Sequence, residues 1–170
     1  DSGSANLTLD ATASTFGALT ITGADVSVTE DAAMDLAGVT VSGTAKFDST
    51  NHLITDSGTL TINGATTFDS GSANLTLDEV ASTFGSLTLT GAAVSVTENA
   101  ALDLAGSTIS GTASFDSTNH AITDSGPLTV TGATTFDSGN ANLTLDEAAS
   151  TFGALTITGA DVSVTEDAAM

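Results

Sequence analysis

The sequence of 170 residues contains no cysteine, no tryptophan and no tyrosine, and Lys46 is its single lysine or arginine. Without cysteine the chain forms no disulfide, no thiolate nucleophile and no cysteine-ligated zinc site. No apolar run approaches the roughly 20 residues that a transmembrane helix needs. Disulfide scaffolds, thiol enzymes and helical membrane proteins therefore lie outside the classes that the sequence predicts.

Acidic residues dominate the charge, because 21 aspartates and glutamates stand against one lysine, for a net charge of −20 at pH 7. Nucleic-acid-binding proteins neutralise phosphates with lysine and arginine, and anionic lipid surfaces likewise attract basic residues. The sequence therefore predicts no nucleic-acid partner and no membrane insertion.

A pentad of alternating apolar and polar residues that ends in glycine recurs seven times, first as Leu-Thr-Ile-Thr-Gly. Its copies span residues 19–23, 39–43, 60–64, 87–91, 107–111, 128–132 and 155–159. Such alternation before a glycine is typical of a short, half-buried strand followed by a turn. The steps between these glycines have three lengths that recur in the same order, and this regular spacing predicts a solenoid.

A longer, 68-residue period contains three of these pentads. Its copies span residues 1–68 and 69–136, and a partial copy spans 137–170. We expect residues 1–170 to form a single continuous solenoid segment that belongs to a longer repetitive chain.

Between one pentad and the next lie two further apolar patches, as at 26–28 and 34–36, separated by turns rich in Asp, Ser, Gly and Asn. The pattern predicts an all-β parallel β-helix (β-solenoid) with about 20–27 residues per coil, three short strands per coil and three coils per 68-residue repeat. Stacked pentads would form one internal column, in which Ser107 replaces the expected Leu or Val. A β-sandwich is the alternative fold, since short alternating strands at similar spacing also describe it. The expected column contains Leu19, Val39, Leu60, Leu87, Leu128 and Leu155.

The longest coil contains seven residues that the other coils lack, at 10–16, 78–84 and 146–152. Each copy begins with aspartate and is followed by glycine, a pattern that suits one helical turn with an N-cap and a glycine stop. We expect a bulging loop that covers one phenylalanine in each copy. The remaining phenylalanines should fill the core, namely Phe47, Phe68, Phe115 and Phe136.

Aspartates at matching repeat positions are the candidate metal ligands. The Phe-Asp-Ser motif places Asp48 and Asp69 in successive coils, and Asp116 and Asp137 repeat this pair. Glutamates from a Val-Thr-Glu motif are expected near the same corner. Either the side chains cap local backbone N–H groups, or the corners bind Ca²⁺, which prefers carboxylate oxygens. No dedicated calcium motif is present, so we predict no cofactor, with Ca²⁺ as the alternative.

Hydroxyl side chains at the outward pentad positions form the candidate interaction face. This flat face resembles the ice-binding face of β-helical antifreeze proteins, although asparagine and serine interrupt its second column. Ice binding, lateral contact between fibres and a plain solvated surface are the three open interpretations, because threonine also suits exposed strands. The face comprises Thr20, Thr22, Thr40, Ser42, Thr61, Asn63, Thr88, Thr90, Thr108, Ser110, Thr129, Thr131, Thr156 and Thr158.

The sequence predicts no enzyme. His52 and His120 share one repeat position, and three coils of about 4.8 Å would separate them by roughly 14 Å, so we interpret both as turn residues. Every serine and aspartate motif is repeated, so none stands out as part of a catalytic triad. A glycosidase needs one pair of carboxylates with unequal roles, whereas these pairs are copied along the chain.

The Leu-Thr-Ile-Thr-Gly, Phe-Asp-Ser and Asn-Leu-Thr-Leu segments recur over the whole sequence. They resemble the β-strand-repeat regions of giant bacterial surface proteins, the filamentous-haemagglutinin-like and autotransporter-passenger adhesins. The resemblance implies a right-handed, extracellular β-helical shaft on a bacterial or archaeal cell. It would serve as a structural fibre, adhesin shaft or biofilm-matrix filament, and regions outside this segment would bind any host or cell-surface ligand. Open coil ends are unpaired strand edges, so we also expect end-to-end or lateral self-association.

Overall fold

The computed structural model describes residues 1–167, and this part of the chain is an all-β parallel solenoid of about eight turns without helices. Residues 168–170, the end of the predicted solenoid segment, lie outside the described residues. In the part that is described, no helix is long and apolar enough to span a membrane. The strands are β1 (Leu7–Leu9), β2 (Leu19–Gly23), β3 (Val26–Thr29), β4 (Met34–Val41), β5 (Ala45–Asp48), β6 (Ile54–Asp56), β7 (Leu60–Asp69), β8 (Leu75–Leu77), β9 (Thr83–Gly91), β10 (Val94–Thr97), β11 (Leu102–Ile109), β12 (Ala113–Asp116), β13 (Ile122–Asp137), β14 (Leu143–Leu145), β15 (Thr151–Thr158) and β16 (Val162–Val164).

Parallel pairing joins these strands into ladders along the axis. The first ladder contains β1, β3, β5 and the later parts of β7, β9 and β11, and it continues through the middle of β13 to the start of β15. The second contains the start of β4, then β6, β8, β10 and β12, and later parts of β13 and β15. The third contains β2, the end of β4, and the starts of β7 and β9. The three ladders are the three faces of the solenoid.

Not every strand is short. Strand β7 has ten residues and β13 has sixteen, and both run across a corner from one ladder into another. The predicted count of three short strands per coil therefore does not describe every turn. The right-handedness of the coil stays a prediction.

Successive repeats differ by a third of a turn about the axis. Three full turns of the first ladder lead from Leu7 through Val26 and Ala45 to Thr66. The repeat equivalent of Leu7 is Leu75, which follows later in the chain and lies in the second ladder as the partner of Ile54 and Val94. A 68-residue repeat therefore makes three and a third turns, and the predicted three coils per repeat are wrong by that third.

The turns are similar in length. The length of a turn is the sequence separation between two residues that pair across adjacent turns. This separation is among the smallest for Leu87 and Leu104, and among the largest for Thr61 and Thr83. Even the longest turn falls short of the predicted 27-residue coil, which is therefore wrong. The predicted pentad column also breaks, because Leu87 pairs with Thr66 and not with Leu60.

The seven extra residues 78–84 build part of the wall, so the predicted bulging helical turn is wrong. Their amide and carbonyl groups close a tight turn, in which Ser82 N–H donates to the Glu79 carbonyl at 2.8 Å, and the last two residues pair with β7. Phe84 is 7% exposed, and its ring meets Phe68 edge-on with centroids 5.9 Å apart. Because the segment completes one face, it advances the chain by a third of a turn.

Alternating side chains fill the interior along the whole solenoid. Phe47 stacks on Phe68 with ring centroids 5.3 Å apart, and Phe115 stacks on Phe136 at 5.2 Å. All four rings are buried, so their predicted place in the core is confirmed. Stacked aromatic pairs contribute about 0.5–1.5 kcal/mol beyond the burial of their area. The core is therefore continuous from turn to turn.

Ser107 stands at an inward position and is buried. Its Oγ accepts a hydrogen bond from Leu89 N–H at 3.1 Å. The register of β11 against β9 shifts between Leu104 and Ser107, which is the mark of a β-bulge. The same shift occurs in the first repeat, where Val39 holds this position, so the bulge is a feature of the repeat, and at Ser107 the hydroxyl satisfies a buried backbone donor.

The glycine that ends the third pentad is required by close backbone approach. A Cβ on Gly64 would lie 2.5 Å from the Gly43 carbonyl oxygen. Gly64 N–H donates to that same oxygen at 2.9 Å. Any side chain here would separate two turns at the corner where they are hydrogen-bonded.

Candidate interaction face and acidic corners

The four aspartates predicted as calcium ligands lie where strands end at a corner. Asp48 and Asp69 are Cα partners in the first ladder, and Asp116 and Asp137 are partners in the second. In all four, Oδ1 accepts a hydrogen bond from the backbone N–H two residues later, which is an Asx turn. The donors are Thr50 at 3.0 Å, Gly71 at 2.9 Å, Thr118 at 2.7 Å and Gly139 at 2.9 Å.

The two aspartate pairs differ in their charged neighbours. Lys46 Nζ lies 3.3 Å from Asp48 Oδ2, whereas Ser114 occupies the equivalent position in the second repeat. Within residues 1–167, no group of three or more His, Cys, Asp or Glu side chains is arranged to hold a metal ion. The observed hydrogen bonds fit the interpretation as turn residues, and calcium binding stays a prediction.

In the second Phe-Asp-Ser motif of each pair, the serine side chain contacts the next turn as well as its own. Ser70 is fully buried, and its Oγ lies 3.0 Å from both the Ala73 and the Thr90 carbonyl oxygens. Ser138 makes the equivalent contacts with Ala141 and Thr158 at 3.0 and 3.1 Å. Ser49 and Ser117 of the first motifs contact only the carbonyl groups of His52 and His120 in their own turns, so the serine link between turns belongs to the second motifs.

The predicted interaction residues are divided among the three ladders instead of forming one face. In the third ladder, Thr22 pairs with Thr40, and Thr40 with Thr61. The next partner of Thr61 is Thr83, while Thr88 belongs to the first ladder. The third-of-a-turn step causes this division, because it moves each repeat's threonines to a new face.

The remaining interaction residues follow the same division. Thr90, Thr108 and Thr129 are successive partners, whereas Thr156 and Thr158 lie opposite Thr135 and Asp137. Thr20 lies opposite Gly38. Ser42, Asn63, Ser110 and Thr131 are exposed. Binding by any of these residues stays a prediction.

Both histidines lie in turns. The Nδ1 atoms of His52 and His120 lie 3.0 Å from the Ser49 and Ser117 carbonyl oxygens. His52 Nδ1 is also 3.7 Å from Asp31 Oδ1, and Asn99 replaces this aspartate in the second repeat. Their local contacts match the interpretation as turn residues.

Two of the glutamates that the sequence predicts near the aspartate corners are buried. Glu30 and Glu98 are both 0% exposed. Oε2 of Glu98 accepts a hydrogen bond from Phe84 N–H at 3.2 Å, and Oε2 of Glu30 accepts one from Phe16 N–H at 2.7 Å. Oε1 of each lacks a hydrogen-bond partner among the described residues.

Burial shifts the titration of these glutamates. It raises the pKa of Glu98 to about 8, against the opposing effect of the Phe84 hydrogen bond. It also raises the pKa of Glu30, and there the Phe16 hydrogen bond and then His52 oppose the rise. The sequence signal was present, since the alternation that buries Val26 and Val28 also points residue 30 inward.

Two further buried aspartates hold the extra segments. Asp56 Oδ1 accepts from Asp78 N–H at 2.8 Å, and its Oδ2 accepts from Glu79 N–H at 3.3 Å. Asp124 makes the same pair of contacts in the next repeat. Burial raises the pKa of Asp56 despite these donors. Each carboxylate thus caps a turn of the following coil, and no local sequence motif predicts this contact.

A shallow groove lies at equivalent positions in two successive repeats. One copy has a volume of about 380 Å³ and is lined by Asn74, Thr76, Ser95, Ser114 and Thr135, among others. The other, of about 370 Å³, is lined by the equivalent Asn6, Thr8, Ser27, Lys46 and Thr67. The first copy lies on the second ladder, and the other on the first ladder.

A family described as repeats of unknown function (DUF5649) matches residues 3–51, 23–90 and 91–159. The second and third of these matches each span about one period of the repeat. Comparison with curated proteins and with solved structures finds no match for the chain.

Proposed function

The chain belongs to this family of repeats of unknown function, and from that premise we propose that it is a non-catalytic structural shaft of an extracellular fibre or adhesin. The observation that supports the proposal best is the continuous, parallel-paired core that runs through all three faces. Each turn bonds to its neighbours on both sides, so every added repeat lengthens the rod and adds interface. The proposed role is mechanical, because the bonded turns make the rod stiff.

The acidic coat suits such a shaft. The net charge of −20 keeps rods dispersed by mutual repulsion. The same charge disfavours nucleic acids, because their binding needs lysine and arginine. We place the shaft on the cell surface, in line with its resemblance to adhesin repeats. Self-association end to end is part of the same proposal, since stacked turns offer strand edges.

Electron microscopy of the purified chain tests the shaft. Eight turns at about 4.8 Å each predict a rod roughly 38 Å long, and chains with more repeats should be longer at constant width. Compact particles whose width grows with repeat number would overturn the proposal. Antibody labelling of intact cells should detect the chain at the surface, and labelling only after permeabilisation would overturn the location.

Calcium binding at the acidic corners is the second candidate function. The observation that favours it is the in-register pair of Asp116 and Asp137, which lacks the lysine found beside Asp48. Millimolar Ca²⁺ should raise the melting temperature, because a cation that binds only the folded chain stabilises it. Asp116→Asn together with Asp137→Asn should abolish the rise, while Asp10→Asn should not. No rise in the unsubstituted chain removes this candidate.

A further inference from the structure

The structure assigns the shaft a threefold display: we infer that successive 68-residue repeats present the same surface on three sides in rotation, and that partners engage the shaft all round. The inference rests on the proposed shaft function. It concerns the exposed part of each repeat and the kind of partner that this arrangement suits.

The rotation is visible at equivalent residues. Thr67 and Thr135 occupy the same repeat position, yet Thr67 pairs with Lys46 and Thr88 in the first ladder. Thr135 pairs with Ser114 in the second. The rotation has the same direction at other positions, since the chain passes from the first ladder to the second, the third and the first again. Ile21 lies in the third ladder, and its repeat equivalent Leu89 lies in the next one, the first.

The step has a local structural cause. Residues 78–84 and 146–152 each occupy one face, since Phe84 pairs with Ile62 and Phe152 with Val130. Every repeat contains one such segment, so every repeat adds the same third of a turn. Three repeats therefore make ten turns, and only then does an equivalent residue return to its original face, about 48 Å along the axis at about 4.8 Å per turn.

The exposed features follow this rotation. The groove beside Thr76 and the groove beside Thr8 lie at equivalent repeat positions on adjacent faces, and they differ in charge because Asp25 and Lys46 replace Ala93 and Ser114. On any one side of a long shaft, equivalent grooves would be about 48 Å apart, whereas around the shaft they follow at about 16 Å of axial rise. A flat, rigid surface such as a crystal plane would meet one repeat in three.

The geometry instead suits a flexible, multivalent partner. A polymer chain that winds around the shaft meets an equivalent groove once in every repeat, and several such contacts add through effective concentration. Neutral polysaccharides are the class we favour, because the groove has no charged side chain beside Asn74, Thr76 and Ser95, and its hydroxyl and amide groups alternate with small apolar side chains such as Ala93 and Ala113. The acidic coat would repel a polyanion.

Paired spin labels test the rotation directly, since the chain has no cysteine to remove. Thr67→Cys with Thr135→Cys joins two equivalent positions, and Thr76→Cys with Thr135→Cys joins two positions in one ladder, three turns apart. Electron paramagnetic resonance should give about 14 Å between backbones for the same-ladder pair. It should give a clearly longer distance, roughly 20–30 Å, for the equivalent pair, because about 16 Å of axial rise is added to a separation across faces.

A reversed order of the two distances would overturn the rotation. If the labelled chains lose their β circular dichroism, a second set replaces them: Thr8→Cys with Thr67→Cys for one ladder, and Thr8→Cys with Thr76→Cys for equivalent positions. Rods in the microscope with reversed distances would refute the display and leave the shaft intact. Compact particles that give the predicted distances would refute the shaft and leave the display intact.

The partner class is tested with the same chain. Affinity for soluble neutral glucans, measured as retardation in affinity gel electrophoresis, should increase with the number of repeats more steeply than in proportion, because contacts on successive faces cooperate. Ser95→Glu and Ser114→Glu, which place charge in the groove, should weaken it at least about tenfold, while Asp78→Asn should not. Binding to an ice or mineral plane without binding to glucans would overturn the assignment.

Discussion

At the scale of single residues, the unusual feature is the burial of carboxylates in a chain that has almost no basic residues. Glu98 lies inside the wall with Phe84 N–H as its hydrogen-bond donor. A buried, uncompensated charge is costly, so the neutral acid is the favoured form. The fold therefore binds a proton at this position more tightly than the unfolded chain does.

We expect the unfolding free energy to fall as pH rises. The pKa of Glu98 is about 8 in the fold against 4.5 normally, so its contribution is fully present below pH 4.5 and is lost as pH rises through 8. Melting at pH 5 and pH 9 should reveal a loss of roughly 2–4 kcal/mol from this residue. Glu98→Gln should keep the pH 5 stability and raise the pH 9 stability.

Glu79→Gln is the matched control, because Glu79 is half-buried and lies on the outer wall. It should leave the pH profile of melting unchanged. Equal profiles for the natural chain and Glu98→Gln would contradict the assignment of the proton to Glu98.

The central phenylalanine of each ring stack should be the most sensitive core residue. Phe68 is fully buried between Phe47 and Phe84, and Phe68→Ala should cost about 3–5 kcal/mol through lost contacts and a cavity. Denaturant unfolding measures the change. Leu53→Ala, at a position that is 41% exposed and is alanine in the next repeat, should cost under about 0.5 kcal/mol. A cost below about 1 kcal/mol for Phe68→Ala would contradict the stacked core.

At the scale of elements, the seven-residue segment decides the geometry of the repeat. Residues 78–84 are held at their start by Asp56 from the preceding turn and at their end by Glu98 from the following turn. Both contacts join residues that are distant in sequence and adjacent only in the stacked turns. The segment therefore takes its conformation from its neighbours and does not need a helical propensity of its own.

Removing one of these caps should loosen one segment only. Asp124→Ala leaves the amides of residues 146 and 147 without their acceptor, at a cost of about 1–3 kcal/mol. Hydrogen exchange of those two amides should accelerate by roughly tenfold or more. Residues 78 and 79, which Asp56 holds, supply the control in the same molecule and should exchange at their original rate.

If both segments accelerate together, the caps do not act separately. If neither changes, Asp124 has no capping role. Asp124→Asn, which retains one acceptor, should give an intermediate rate.

At the scale of the whole molecule, repulsion among like charges opposes the continuous core. The chain has 21 acids and one lysine. Repulsion of this kind destabilises a compact state and is screened over about 10 Å at 0.1 M salt and about 3 Å at 1 M. Raising NaCl from 0.1 M to 1 M should therefore raise the melting temperature by several degrees.

Potassium chloride should act as sodium chloride does, because screening depends on ionic strength and not on the identity of the ion. A melting temperature that falls with salt would contradict the dominance of repulsion. A rise with only one of the two salts would indicate specific ion binding instead.

The sequence by itself determined the solenoid, its parallel β character, the core place of the four phenylalanines and the turn role of the histidines. Alternation and repetition carry this information, because a strand's inward residues are set by a period of two. The Asx turns of the Phe-Asp-Ser corners follow from the same local chemistry. The family match agrees with the 68-residue period.

Only the tertiary structure decided how the repeats are phased. Whether residues 78–84 leave the wall or build it depends on the pairing of Phe84 with Ile62 in the preceding turn. Because the segment builds the wall, the threonines lie on three faces instead of one. Glu98 is then buried where its Oε2 accepts the hydrogen bond from Phe84 N–H. Pairing between turns depends on contacts between residues far apart in sequence, and local strand propensity does not determine those contacts.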